Sequence, residues 1–86
     1  AVRGDLTFET VPGLYQEGVR MFGAGGRLDV DLSGVGKTDS AGVALLVAWL
    51  RVGRASGAEV RYLGVPGQMR AIVEVSGLQT ILPLAS

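Results

Sequence analysis

The sequence predicts an α/β fold, a single small mixed β-sheet with helices packed on it. Two observations carry that prediction. Segments that alternate apolar and polar residues take turns with segments of 3–4 apolar spacing, in the order β, α, β, α, β, α and a tail. The glycines, 14 of 86 residues, punctuate the boundaries between them, where turns and helix stops use them. A chain of 86 residues makes one domain, residues 1–86. It holds one modest core, since a domain this small buries only about 60–65% of its unfolded surface.

The elements follow in order. Ala1 to Phe8 is weakly extended and broken at Gly4–Asp5. The chain starts at Ala1, and its first strand is expected to be truncated, missing or reduced to Ala1–Val2. A helix begins near Thr10, with Thr10 placed to cap it and Pro12 in its first turn, where a missing N–H costs nothing. Val11, Leu14, Tyr15, Gly18 and Phe22 form its inner face, and Gly23, Gly25 and Gly26 stop it. Arg27 to Ser33 is the clearest strand: Leu28, Val30 and Leu32 alternate with Asp29 and Asp31. Gly34 to Thr38 reads as a turn. Asp39 or Ser40 caps a second helix that runs to about Ser56 and ends at Gly57. Glu59 to Gly64 is a strand. A third helix starts at Pro66, buries Met69, Ile72 and Val73, and stops at Gly77. Leu78 to Leu82 is a short extended tail ended by Pro83.

Composition excludes several functions. Eight basic and eight acidic residues cancel, which leaves no basic stripe for nucleic acid and no cationic surface for anionic lipid. The chain has neither Cys nor His. It therefore lacks a thiolate nucleophile, the commonest general base and the commonest metal ligands. No catalytic residues, cofactor or metal are expected. No apolar run reaches the roughly 18–20 residues that span a bilayer, and no signal-peptide pattern is present. The expected location is the cytoplasm, without direct membrane insertion.

Three features could carry function. Gly34-Val35-Gly36-Lys37-Thr38 looks like the end of a phosphate-binding loop, but the position five before Gly36 is Asp31, not the required Gly. A carboxylate there opposes phosphate, and a nucleotide-binding enzyme is set aside. Thr38-Asp39-Ser40-Ala41-Gly42 opens the second helix. Asp and Ser there are ordinary N-caps, yet a hydroxyl on the positive end of a helix is also a place where phosphate is well tolerated. The helix that follows carries no charge from Ser40 to Leu50. Val43, Leu46, Val47 and Leu50 make a core face, while Leu45, Trp49 and Val52, with Ala41 and Ala48 beside them, fall on another. A helix apolar all round must be covered all round, and one sheet covers one side. Trp is a preferred interface anchor. The expectation is a partner-binding face that includes Leu45 and Trp49, with Trp49→Ala and Leu45→Asp abolishing binding and leaving the fold intact.

Val30-Asp31-Leu32-Ser33-Gly34-Val35, followed by Thr38-Asp39-Ser40-Ala41-Gly42-Val43-Ala44-Leu45-Leu46, resembles the signature of STAS domains, the fold of anti-sigma-factor antagonists. The resemblance extends over nearly the whole chain. It is greatest to the MlaB-type STAS subunits of phospholipid-transporting ABC systems, through the apolar Gly-Val-Ala-Leu-Leu helix, the compact length and the Leu82-Pro83 ending. It implies a non-catalytic accessory subunit that binds and activates an MlaF-type ABC ATPase, in a larger complex with a permease at the inner membrane. The partner surface would be Lys37, Thr38, Asp39, Ser40 and Ala41 with the exposed face of the next helix. In anti-sigma antagonists the residue after the signature Asp is phosphorylated, and Ser40 holds that position. The alternative implied is therefore an antagonist that binds an anti-sigma-factor kinase and is switched at Ser40.

Overall fold

The computed structural model describes residues 3–22 and 25–85. In chain order they form β1 (Arg3–Leu6), α1 (Val11–Phe22), β2 (Arg27–Asp31), β3 (Gly34–Thr38), α2 (Ser40–Ala55), β4 (Glu59–Leu63), α3 (Gly67–Val75), a 3₁₀ turn (Leu78–Thr80) and β5 (Leu84–Ala85). The α/β architecture is STAS-like. The expected first-strand remnant at Ala1–Val2, and the helix stop at Gly23, lie outside the described residues.

The sheet differs from the expected single mixed one. All its pairings among the described residues are parallel, in two ladders ordered β1–β3 and β2–β4–β5. A helix lies in the chain between the members of every pair, and a helical crossover returns the chain in its original direction. Leu32 and Ser33 bend the chain from one ladder into the other. The Leu32 N–H donates to the Leu63 carbonyl at 2.8 Å, and the Val35 N–H then turns back to the Leu32 carbonyl at 3.0 Å. Asp31 steadies the bend by accepting the Ser33 N–H at 2.9 Å.

Three local expectations are corrected. Gly34–Thr38 is a strand, not a turn, with Val35 and Thr38 buried and Gly34, Gly36 and Lys37 exposed. Its two glycines disguise it, since glycine weakens strand propensity without forbidding a ladder. Gly4–Asp5 lies inside β1, where Gly4 takes a φ of +86° and the register to β3 shifts between Gly4 and Leu6. The tail after α3 is a 3₁₀ turn and a two-residue strand. Leu84 and Ala85 pair with Tyr62 and Leu63, and Leu82 is buried.

Helix α2 packs against α1 and α3 and against β4 and β3. Arg27, Asp29 and Asp31 of β2 and Glu59 and Arg61 of β4 are exposed on the outer face of the sheet, alternating with the buried Val30, Val60 and Tyr62. There the Arg61 guanidinium meets Asp29 at 3.1 Å, with Arg27 at 3.8 Å. The Arg61 hydrogen bond holds the Asp29 carboxyl below its usual range. In the core, Tyr62 of β4 is fully buried, and its hydroxyl donates to the Leu46 carbonyl of α2 at 2.6 Å. Burial pushes the phenol pKa up, so the hydroxyl stays neutral and donating.

Helix α1 packs on α2 through a small-to-large fit. Gly18 is buried against the Trp49 indole, and a Cβ there would overlap the ring. Phe22 stacks on Trp49 at 5.3 Å between ring centroids. The Ser56 hydroxyl, just past α2, donates to the Phe22 carbonyl at 2.6 Å and ties the two C-terminal ends together.

Tyr62→Phe is expected to lower unfolding stability by about 1–2 kcal/mol, read by denaturant titration, because it deletes a buried hydrogen bond and leaves the ring in place. Gly18→Ala is expected to cost about 1–3 kcal/mol by overpacking and to shift the emission of Trp49. An unchanged emission spectrum and midpoint would show that α1 does not seat on the indole.

Candidate functional site

The segment Lys37–Gly42 is built around Asp39. Its backbone is extended, and its Oδ1 accepts the N–H groups of Ala41 at 2.9 Å and Gly42 at 3.3 Å, capping α2. Its Oδ2 accepts the Phe8 N–H at 3.1 Å, and its own N–H donates to the Leu6 carbonyl at 3.2 Å. One carboxylate thus starts α2 and fixes the loop between β1 and α1. Gly42 has a steric reason. An added Cβ would lie 2.6 Å from the Leu6 carbonyl oxygen and 2.9 Å from the Leu6 Cβ, and would overlap the Thr38 hydroxyl. The first turn of α2 rests on β1, and only glycine permits that approach.

Capping belongs to Asp39 and not to Ser40. Ser40 is the first residue of α2, is exposed, and makes no side-chain hydrogen bond among the described residues. Lys37, on β3, is exposed, with its backbone N–H held by Asp5 at 2.9 Å. Thr38 is buried, at 5% exposure, under the helix start, and Ala41 is half-buried.

The face assigned to α2 needs a correction. Leu45 and Trp49 are buried, at 1% and 3% exposure. The sheet is not their only cover: α1 lies along α2 and receives Trp49 at Gly18 and Phe22. Buried positions therefore span about 160° of the helix circumference, counted at 3.6 residues per turn. What remains open is the strip of Ser40, Ala44, Val47, Ala48 and Arg51, which lines a groove of about 470 Å³. Tyr15 of α1 borders it on one side and Ile72 of α3 on the other, and Val52 extends its floor. Ser40, Ala48 and Val52 are thus brought together, while Leu45 and Trp49 stand apart beneath them. Tyr15, Val47, Arg51 and Ile72 were not expected here. The spacing of four between Ser40, Ala44 and Ala48 marks the strip in the sequence, and Gly18 marks where a large side chain is received.

The family model described as Mlab, STAS domain, matches residues 1–83. This chain belongs to that family. It is a STAS domain of the MlaB type, and STAS domains mediate protein–protein interactions. No curated protein matches it. In this STAS domain the signature Asp, Ser and Gly have separate tasks: Asp39 caps, Gly42 lets α2 approach β1, and Ser40 stays free on the surface beside the groove. No helix among the described residues is long and apolar enough to cross a membrane.

Asp39→Ala is expected to cost about 1–2 kcal/mol of stability through the lost cap. Ser40→Ala is expected to stay within about 0.5 kcal/mol, as an exposed residue without partners does. Thermal unfolding of the two variants side by side checks the division. Equal losses would mean that Ser40 shares the cap.

Proposed function

We propose that this STAS domain is a non-catalytic accessory subunit that docks on the ATPase of an ABC phospholipid transporter through the open face of α2, and supports its activity. The observation that carries the reading is the groove. It is floored by small and apolar side chains and begins at the Ser40 hydroxyl, which has no internal hydrogen bond among the described residues. A small domain whose central helix keeps an apolar strip between two other helices has a surface suited to another protein. Membership in the MlaB-type STAS family supports an MlaF-type ATPase as the partner, held with a permease at the inner membrane and serving outer-membrane lipid asymmetry. The domain itself needs no contact with lipid.

Lys37, Ser40, Ala48 and Val52 are the proposed contact residues. Thr38, Asp39 and Ala41 act by shaping the start of α2. Leu45 and Trp49 support the face from below. The expected effect of Trp49→Ala is accordingly a loss of about 3–5 kcal/mol of stability, not a selective loss of binding.

A second reading draws on the same exposed Ser40. Phosphate on its hydroxyl would sit at the positive end of α2 and add roughly −1.5 to −2 charges to the contact surface. The domain would then be an anti-sigma-factor antagonist released from, or admitted to, its kinase partner by that charge.

Co-purification with the ATPase of the same source decides between them. Wild type is expected to comigrate and raise ATP hydrolysis. Ala48→Glu is expected to keep its melting temperature within a few degrees and to lose the complex, since a buried unpaired charge at the centre of an interface is strongly unfavourable. Absence of a complex with wild type, together with labelling of Ser40 by an anti-sigma kinase, would establish the second reading instead.

A further inference from the structure

The groove has one charged lining residue. Arg51 sits three helical turns from Ser40, about 16 Å along α2 at 1.5 Å per residue. No carboxylate lines the groove, and Arg51 forms no ion pair or side-chain hydrogen bond among the described residues, where both ion pairs are on Asp29. The lining comes from α1, α2, α3 and the 3₁₀ turn that follows α3, and includes no strand residue. Ser40, Ala44 and Ala48, four residues apart, form a shallow row on α2, and such a row accepts the side-chain ridge of another helix at close range.

From these features together we infer that the groove receives an amphipathic helix of the partner protein, which carries a carboxylate that pairs with Arg51. The inference rests on the docking reading above and adds the element that docks and the residue that selects it. The apolar side of the incoming helix covers Ala44, Val47 and Ala48 over about three turns. Arg51, at the end of the strip, then meets an acidic side chain of that helix. An Arg fork binds a carboxylate through two parallel N–H donors, so it fixes direction and register as well as adding attraction. Ser40 at the opposite end offers a hydroxyl with no internal partner among the described residues. The groove thus has polar groups at both ends and an apolar middle. A partner helix with a basic residue opposite Arg51 would be rejected, because like charges brought together in an interface are repelled.

The test measures binding of the full chain to the purified ATPase by titration calorimetry at about 50 and about 500 mM salt, which lie on either side of strong screening. Arg51→Glu is expected to weaken binding by about tenfold or more, Arg51→Gln less, and Arg51→Lys least. Arg51→Gln is also expected to flatten the salt dependence. Arg54→Glu, an exposed neighbour outside the groove, serves as the control for net charge and is expected to change affinity by less than about threefold. All variants are first checked for an unchanged melting temperature. Wild-type affinity and salt dependence in Arg51→Glu would overturn the inference while the docking reading stands. Absence of wild-type binding to the ATPase would remove both. Should Arg51→Glu lose binding to phosphatidylglycerol vesicles and retain the ATPase, the arginine serves an anionic lipid, and the inference is likewise overturned.

Discussion

Two backbone N–H groups from the first turn of α2 and a third from the β1–α1 loop converge on the Asp39 carboxylate. This group joins segments 31 residues apart in the chain. A carboxylate at a helix start is stabilised by the orphan donors it accepts and by the helix dipole. Here the same charge also fixes where the Thr7–Thr10 turn sits, and so where α1 begins its path over α2. The turn has its own clasp. The Thr10 hydroxyl donates to the Asp5 carbonyl at 2.8 Å and accepts the Thr7 N–H at 3.0 Å. Gly42 completes the arrangement by letting the capped helix settle on Leu6. The placement of α2 follows from these contacts, and every feature of the proposed surface lies on α2 or beside it.

Being the middle helix of three decides what α2 can do. One arc, through Val43, Leu46 and Leu50, is buried in the core with the sheet. A second, centred on Trp49, is closed by α1. The third is left between α1 and α3 and carries Ala44, Val47, Ala48 and Arg51, where the inner arcs carry leucines and a tryptophan. The division by size is informative. Leucines and a tryptophan face the permanent neighbours, while Ser40, Ala44 and Ala48 keep the start and middle of the open strip shallow, where a second molecule can come close. The opposite face of the sheet, with Arg27, Asp29 and Arg61, is polar and paired within itself. It has the character of a surface that stays in water.

Much of this was legible in the sequence, and the failures have identifiable causes. The three helices and the strands at Arg27 and Glu59 are found near their expected limits because their periodicities are strong and their stops are glycines. The strand Gly34–Thr38 was hidden by Gly34 and Gly36, which carry no side chain to alternate. The last strand is two residues long and follows Pro83, too short for any pattern. At the site, the start of α2 was readable from the Asp-Ser-x-Gly order alone. The exposed face was not, because hydrophobicity around a helix gives the total cover it needs and not which neighbour supplies each part. Counting only the sheet as cover leaves Trp49 without a neighbour. Gly18 held the missing information, since a glycine on the inner face of α1 makes room for something large.

The separation of Asp39 from Ser40 has an evolutionary consequence. Adjacent residues in one short motif answer to different pressures. Asp39 is constrained by folding, because replacing it loosens the helix start and the loop together. Ser40, with no internal partner, is constrained only by what meets it from outside. Descendants of such a domain can therefore exchange the residue at position 40, and with it the choice of partner or the means of control, without first acquiring a compensating stabilising change. A scaffold arranged in this way is easily diverted to new assemblies.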